Sequence, residues 1–160
     1  LTKGFSSKNA PLGMNFDPRG RLWFAAAGRT LSTNGIFYMN STTWMPEKVN
    51  AKNLSETSAI TFTPNGDAFV ANGYPEFEYT AYHAGSLTPY KVYGLDGLPG
   101  GAGYDPRGTL WLTNIPSPSN GEKCWCAGQL DLQADRIVGY ARKDLTGPSF
   151  AVVGPIFRSP

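Results

Sequence analysis

The sequence predicts an all-β chain of three four-stranded antiparallel units, the blades of an incomplete β-propeller that another chain completes. Three observations carry that expectation. First, one stretch occurs three times, as Gly13-Met-Asn-Phe-Asp-Pro-Arg-Gly-Arg-Leu-Trp-Phe-Ala25, as Ala59-Ile-Thr-Phe-Thr-Pro-Asn-Gly-Asp-Ala-Phe-Val-Ala71 and as Gly101-Ala-Gly-Tyr-Asp-Pro-Arg-Gly-Thr-Leu-Trp-Leu-Thr113. Second, its central prolines, Pro18, Pro64 and Pro106, recur at intervals of about 40–50 residues, the period of propeller blades made of strands. Third, 19 glycines and 13 prolines accompany 13% aromatic and 41% hydrophobic residues. That balance describes a turn-rich β core rather than disorder.

Each copy reads as a hairpin. Met14 and Phe16, Ile60 and Phe62, and Ala102 and Tyr104 alternate with other residues, as in a strand with one buried face. Asp17-Pro18-Arg19-Gly20 and Asp105-Pro106-Arg107-Gly108 put Asp first, Pro second and Gly fourth, the preferences of a type I turn. Thr63-Pro64-Asn65-Gly66 is the same turn with a weaker first residue. The runs after the turn, Leu22-Trp23-Phe24, Ala68-Phe69-Val70 and Leu110-Trp111-Leu112, are continuously apolar, as in strands covered on both faces.

Two further strands should complete each blade. They are Gly35–Met39 and Glu47–Val49 in the first, Thr80–Tyr82 and Pro89–Tyr93 in the second, and Arg136–Tyr140 and Ser149–Val153 in the third. The whole chain, 1–160, is then one domain, with blades at about 10–54, 55–98 and 99–155. No stretch approaches the roughly 18 apolar residues of a membrane helix. The net charge of +2 is spread along the chain without the basic stripe of a nucleic-acid binder.

The Phe-Asp-Pro-x-Gly-x-Leu-Trp-x-Ala pattern resembles the repeat of six-bladed propellers: the NHL-repeat, SMP-30/gluconolactonase, strictosidine-synthase-like and streptogramin-lyase-like group. The resemblance covers the three hairpins. It describes a turn and a core, so it implies the architecture and does not separate those families.

Three blades do not close a ring, and an open wedge exposes apolar strand surface at each end. Either two copies join as a homodimer around a two-fold axis along the channel, or the chain is half of something larger, with the remaining blades on a second chain or lost by proteolysis. The start at Leu1 fits a leader already removed. Asn40-Ser-Thr42 and Asn53-Leu-Ser55 match the glycosylation sequon. With the pair Cys124-Trp125-Cys126 in a polar loop, these features point to an extracytoplasmic or secreted protein. The cysteines read as a local disulfide or as two exposed thiols. They lack the further ligands of a zinc site.

Function in such a frame belongs to its variable loops. The expected binding rim comprises Arg29 in the first blade, Tyr74, Glu76, Phe77, Glu78, Tyr79 and His83 in the second, and Asn114 and Trp125 in the third. Rings give stacking area to a sugar or other ligand, and carboxylates accept from hydroxyls. The same residues also read as an aromatic strand edge or a contact surface. Arg29 and Lys123 can meet an anion or stay solvated, and Trp125 can anchor a partner or cap the rim. His83 reads as a general base by residue type or as a structural or surface histidine, and the short motif supplies no register that maps the histidine of streptogramin lyases onto it.

The lactonase branch of the group implies a divalent metal held by acidic and amide side chains near the starts of the innermost strands. The matching positions, Leu12-Gly13, Ser58-Ala59 and Gly100-Gly101, carry neither. No catalytic residue, metal ligand or cofactor is therefore assigned. A calcium or other divalent ion follows only if the enzyme reading holds, with ligands from the missing blades. The primary expectation is a non-catalytic binding or assembly module that uses rim loops and open blade faces to hold other chains. The alternatives are a metal-dependent lactonase-like hydrolase or streptogramin-lyase-like enzyme completed by a second chain, and a carbohydrate-binding lectin.

Overall fold

The structure is a computed structural model that describes residues 9–28, 34–95, 97–105, 107–116, 127–131 and 134–140. Blade one comprises β1 (Asn9–Phe16), β2 (Leu22–Gly28), β3 (Gly35–Met39) and β4 (Pro46–Val49). Blade two comprises β5 (Thr57–Phe62), β6 (Ala68–Asn72), β7 (Glu78–Tyr82) and β8 (Pro89–Gly94). Blade three comprises β9 (Gly97–Tyr104), β10 (Leu110–Pro116), β11 (Ala127–Asp131) and β12 (Arg136–Tyr140). Each is an antiparallel meander in which sequence neighbours pair. β5 packs against both β1 and β9, so the first strands stand together on the inner side.

The three hairpin turns share one geometry. The N–H groups of Gly20, Gly66 and Gly108 each donate to the carbonyl three residues back, at 2.9 Å. All three glycines have φ between 77° and 92°, the left-handed region where a β-carbon is costly. In blades one and three the turn's aspartate does more. One oxygen of Asp17 accepts from the Arg19 and Arg21 backbone N–H groups, at 3.0 and 2.9 Å, and the other from the Trp23 indole at 3.0 Å. Asp105 repeats this with the backbone of Arg107 and Thr109 and the Trp111 indole, at 2.8, 2.9 and 3.1 Å. Thr63 in blade two supplies only an Oγ1 acceptor for the Asp67 N–H.

The core is two seams between blades. In the first, Trp23, Ala25 and Ile36 of blade one bury against Ile60, Ala68, Val70 and Tyr82 of blade two. In the second, Phe69, Tyr79 and Tyr93 of blade two bury against Leu110, Leu112 and Leu130 of blade three. Hydrogen bonds cross both. The Thr57 hydroxyl lies 2.8 Å from the Ala26 carbonyl and 2.9 Å from that of Gly35. The Tyr79 hydroxyl lies 2.8 Å from both the Gly101 and Thr113 carbonyls. Lys91 pairs with Asp135 across the second seam, where Tyr93 also donates to Asp135 at 3.1 Å. The backbones approach so closely at the first seam that a β-carbon on Gly13 would lie 2.6 Å from the Ser58 carbonyl oxygen.

Blades one and two have the expected strands. Blade three differs: its third strand is Ala127–Asp131, and Arg136–Tyr140 is the fourth rather than the third. The segment Ala-Gly-Gln-Leu-Asp is poor in β-branched and aromatic residues, so its intrinsic strand signal is weak. Pairing with β10 and β12 and burial of Leu130 hold it in the sheet. Ser149–Val153 lies outside the described residues.

Candidate functional site

In a meander, the β1–β2 and β3–β4 connections fall at one end and the β2–β3 loops at the other, beside the links between blades. The second end is the rim. On it, the blade-two loop between β6 and β7 folds back on the link from blade one. The Gly73 N–H points at the Ser55 and Glu56 carbonyls, at 3.2 and 3.3 Å, and the Tyr74 N–H donates to the Glu56 carboxylate at 3.3 Å. Tyr74 is 64% exposed and meets Phe77 edge to face, with ring centroids 6.1 Å apart. Glu76 is exposed and Phe77 and Glu78 are half-buried. Glu78 accepts from the Thr80 hydroxyl at 2.8 Å, which in turn accepts from Asn72 at 2.9 Å. The rim of blade two is therefore an aromatic pair beside three carboxylates, Glu56, Glu76 and Glu78. Sequence reasoning missed Glu56, because only the fold brings the interblade link under this loop.

Of three further expected rim residues, two are buried and one lies at the opposite end. Tyr79 is fully buried: strand alternation turns its ring into the second seam, and burial, opposed by its bond to Thr113, pushes its hydroxyl pKa well above the ordinary tyrosine range. His83 follows the far end of β7, so it sits at the turn end, stacked on Tyr90 with centroids 4.4 Å apart. Asn114 is fully buried near the end of β10. Arg29, Lys123, Cys124, Trp125 and Cys126 lie outside the described residues. Of the sequon residues, Asn53 is exposed. The Asn40 side chain bonds Glu47 and accepts from the Thr42 and Thr43 N–H groups.

A concavity of about 310 Å³ opens at the turn end between blades one and two. Trp23, Tyr38, Phe62 and Leu87 line it together with Asp17 and Arg21. The Trp23 ring lies 5.5 Å from Tyr38 and 5.4 Å from Phe62. The Arg21 guanidinium lies 5.2 Å from the centroid of the Trp23 ring. Its Nε donates to Asp17 at 2.7 Å. Burial pushes the Asp17 carboxyl up, but hydrogen bonds from the Arg21 backbone and the Trp23 indole outweigh it and hold the pKa below the usual carboxylate range. A carboxylate so fully occupied holds the turn and is a poor proton acceptor.

The positions where the resemblance implies a divalent ion do not fit one. Gly13, Ser58, Ala59, Gly100 and Gly101 offer no carboxylate or amide, and the Ser58 hydroxyl donates to the Pro99 carbonyl at 2.9 Å. The nearby Asn15 spends its amide N–H on the Thr61 hydroxyl at 3.1 Å. Among the described residues, no three of His, Cys, Asp and Glu come together to hold a metal.

Three four-stranded antiparallel sheets stacked face to face about their first strands define part of a β-propeller. Solved propellers of several activities share that arrangement. The chain superposes on a hydrazine synthase of Kuenenia stuttgartiensis (TM-score 0.67, 15% identity, 92% of this chain and 40% of that one). It also superposes on a gluconolactonase of Xanthomonas campestris (0.65, 17%, 91% and 52%). A virginiamycin B lyase of Staphylococcus aureus, with quinupristin, matches similarly (0.64, 17%, 90% and 45%). The chain thus spans about half the length of these proteins or less, and identities this low carry the fold alone. No protein-family model and no curated protein sequence matches it.

Proposed function

We propose that the chain is a binding or assembly module: part of a propeller ring whose rim and open blade faces hold other polypeptide. One observation carries this reading. Leu12, Met14 and Phe16 on β1 are 49, 68 and 49% exposed. The residues that repeat Met14 are Ile60, 2% exposed, and Ala102, packed against the second seam. Blade one keeps apolar residues where its sister blades bury theirs, and an apolar strip of this kind marks an interaction surface. Native mass spectrometry of the protein purified from its source tests the reading. A retained second polypeptide is the expected result. A lone chain carrying a stoichiometric divalent ion overturns it.

A second reading is an enzyme of the lactonase or streptogramin-lyase kind completed by further blades. The superposition on a gluconolactonase and on a virginiamycin B lyase favours it. Ring opening of gluconolactone or quinupristin, abolished by chelation and restored by a divalent ion, would establish it. For the lectin alternative, Tyr74 is the aromatic to test on a glycan array, since Tyr79 is in the core. A secreted, glycosylated protein is expected to lose mass on treatment with an N-glycosidase, with Asn53→Gln removing the shift.

A further inference from the structure

We infer that the cavity at the turn end between blades one and two binds a small carboxylate carrying an apolar ring, with Arg21 gripping the carboxylate above an aromatic floor. The cavity belongs to a single chain and lies away from the rim, so it stands or falls independently of what completes the ring of blades.

The cavity is formed without a ligand. Its volume of about 310 Å³ lies at the lower end of small-molecule pockets, which span about 300–1,000 Å³. Trp23 is the most buried of its aromatic residues, and half-buried Tyr38 and Phe62 flank it at 5.5 and 5.4 Å. Blade two supplies the opposite wall through the turn between β7 and β8. That turn is fixed by the His83 N–H, which donates to the Thr88 carbonyl at 3.0 Å. It is tied to the β5–β6 turn by the Ala84 N–H, which donates to the Asp67 carboxylate at 2.7 Å. Leu87 holds φ at 47°, uncommon for a residue other than glycine, and its side chain is buried in the wall.

Arg21 is the recognition element. Its Nε donates to Asp17 at 2.7 Å, and its guanidinium carbon lies 5.2 Å from the Trp23 ring centroid and 5.8 Å from that of Tyr38. The group is held from one side by a carboxylate and from another by two rings. Its terminal nitrogens make no bond among the described residues. A guanidinium offers such nitrogens as a planar fork that matches the two oxygens of a carboxylate. Because the fork is already oriented, little ordering cost falls on binding.

The lining also sets the sign of the ligand's charge. Asp17 is its one acid among the described residues, and that carboxylate already accepts four hydrogen bonds. Two arginines stand against it, Arg21 and Arg19, and the Arg19 side chain makes no bond among the described residues. The Asn65 amide, likewise unbonded among them, adds a donor at the mouth. An anion without a ring would leave the aromatic surface wet, and a neutral ring would leave the fork unpaired. A ring-bearing carboxylate satisfies both.

The test uses three probes: phenylacetate, its neutral counterpart phenethyl alcohol, and inorganic phosphate, an anion without a ring. Each is titrated into ¹⁵N-labelled protein while NMR follows the Trp23 indole N–H and the Arg21 Nε–H. Phenylacetate should shift both signals saturably at millimolar concentration. The alcohol and phosphate should each bind about tenfold more weakly or worse. Arg21→Met keeps the apolar stem and should weaken phenylacetate by about tenfold or more. Its urea midpoint should change little, because the Arg21–Asp17 pair is partly exposed. Ala84→Trp, at an exposed position in the opposite wall, fills the cavity with Arg21 in place and should abolish the shifts. Tyr74→Ala, at the rim, should bind as the wild type does. The inference is overturned by the absence of shifts with phenylacetate, by alcohol or phosphate binding as well as phenylacetate, by full binding in either cavity variant, or by loss of binding in Tyr74→Ala. None of these results bears on whether another chain completes the ring.

Discussion

Replacing Asp17 with alanine should cost blade one its turn and the first seam its anchor. The side chain accepts four hydrogen bonds, from two backbone N–H groups, the Arg21 Nε and the Trp23 indole. The indole matters most, because Trp23 is only 5% exposed and its N–H would lose its partner away from water, at a cost of about 1–3 kcal/mol. The Arg21 pair adds less, since that side chain is 44% exposed and such pairs contribute below about 1 kcal/mol. With the two backbone donors partly taken over by water, the loss should be about 3 kcal/mol, or roughly 6–12 °C in Tm for a chain of this size. Asp105→Ala should cost clearly less, because Trp111 is only half-buried in the isolated chain. Urea unfolding of both variants at unchanged m-value is the assay. If Asp17→Ala loses under about 1 kcal/mol, or Asp105→Ala loses as much, the indole anchor is not what holds the seam.

Other outcomes follow from the same contacts. Tyr79→Phe keeps the ring but removes the hydroxyl shared by the Gly101 and Thr113 carbonyls; it should lower stability by about 1–2 kcal/mol, whereas an unchanged urea midpoint would show the bond to be idle. Gly13→Ala drives a β-carbon to within 2.6 Å of the Ser58 carbonyl oxygen and should cost about 1–3 kcal/mol; the midpoint again checks it. Asp17 and Asp105 both titrate below the ordinary carboxylate range, Asp17 despite its burial and Asp105 through the Thr109 backbone and Trp111 indole bonds. Their stabilisation is complete above the unfolded value of about 4 and is lost as pH falls through the depressed native values. Thermal melts should therefore drop steeply below about pH 4, and Asp17→Asn should flatten that limb. A limb of unchanged slope would place the acid transition on other carboxylates.

Much of the fold was legible because the repeat is written in residues with local consequences. Asp-Pro-Arg-Gly and Thr-Pro-Asn-Gly dictate a tight turn through the first acceptor, the fixed proline angle and the left-handed glycine. That chemistry needs no distant partner, so the hairpins of blades one and two stand where the motif put them. The third strand of blade three was illegible for the opposite reason. Ala127–Asp131 has little strand propensity of its own and is held by its neighbours.

The rim was only partly legible. An aromatic and acidic loop stands out by composition, and Tyr74, Glu76, Phe77 and Glu78 do lie together. Composition does not say which way a side chain points. Tyr79 differs from Glu78 by one residue and thereby by a whole sheet face. His83, five residues beyond Glu78, has crossed to the other end of the blade at about 3.3 Å per residue.

By itself, the sequence determined the repeated hairpin and the four-stranded unit. Turn chemistry and strand alternation are local, and a repeat states them more than once. Only the tertiary structure decided that Asp17 holds a tryptophan in the first seam, that Glu56 joins the rim, and that Tyr79 and Asn114 are buried beneath it. Each of those depends on which sheet stacks on which face, and face-to-face packing brings together residues tens of positions apart that no local pattern links.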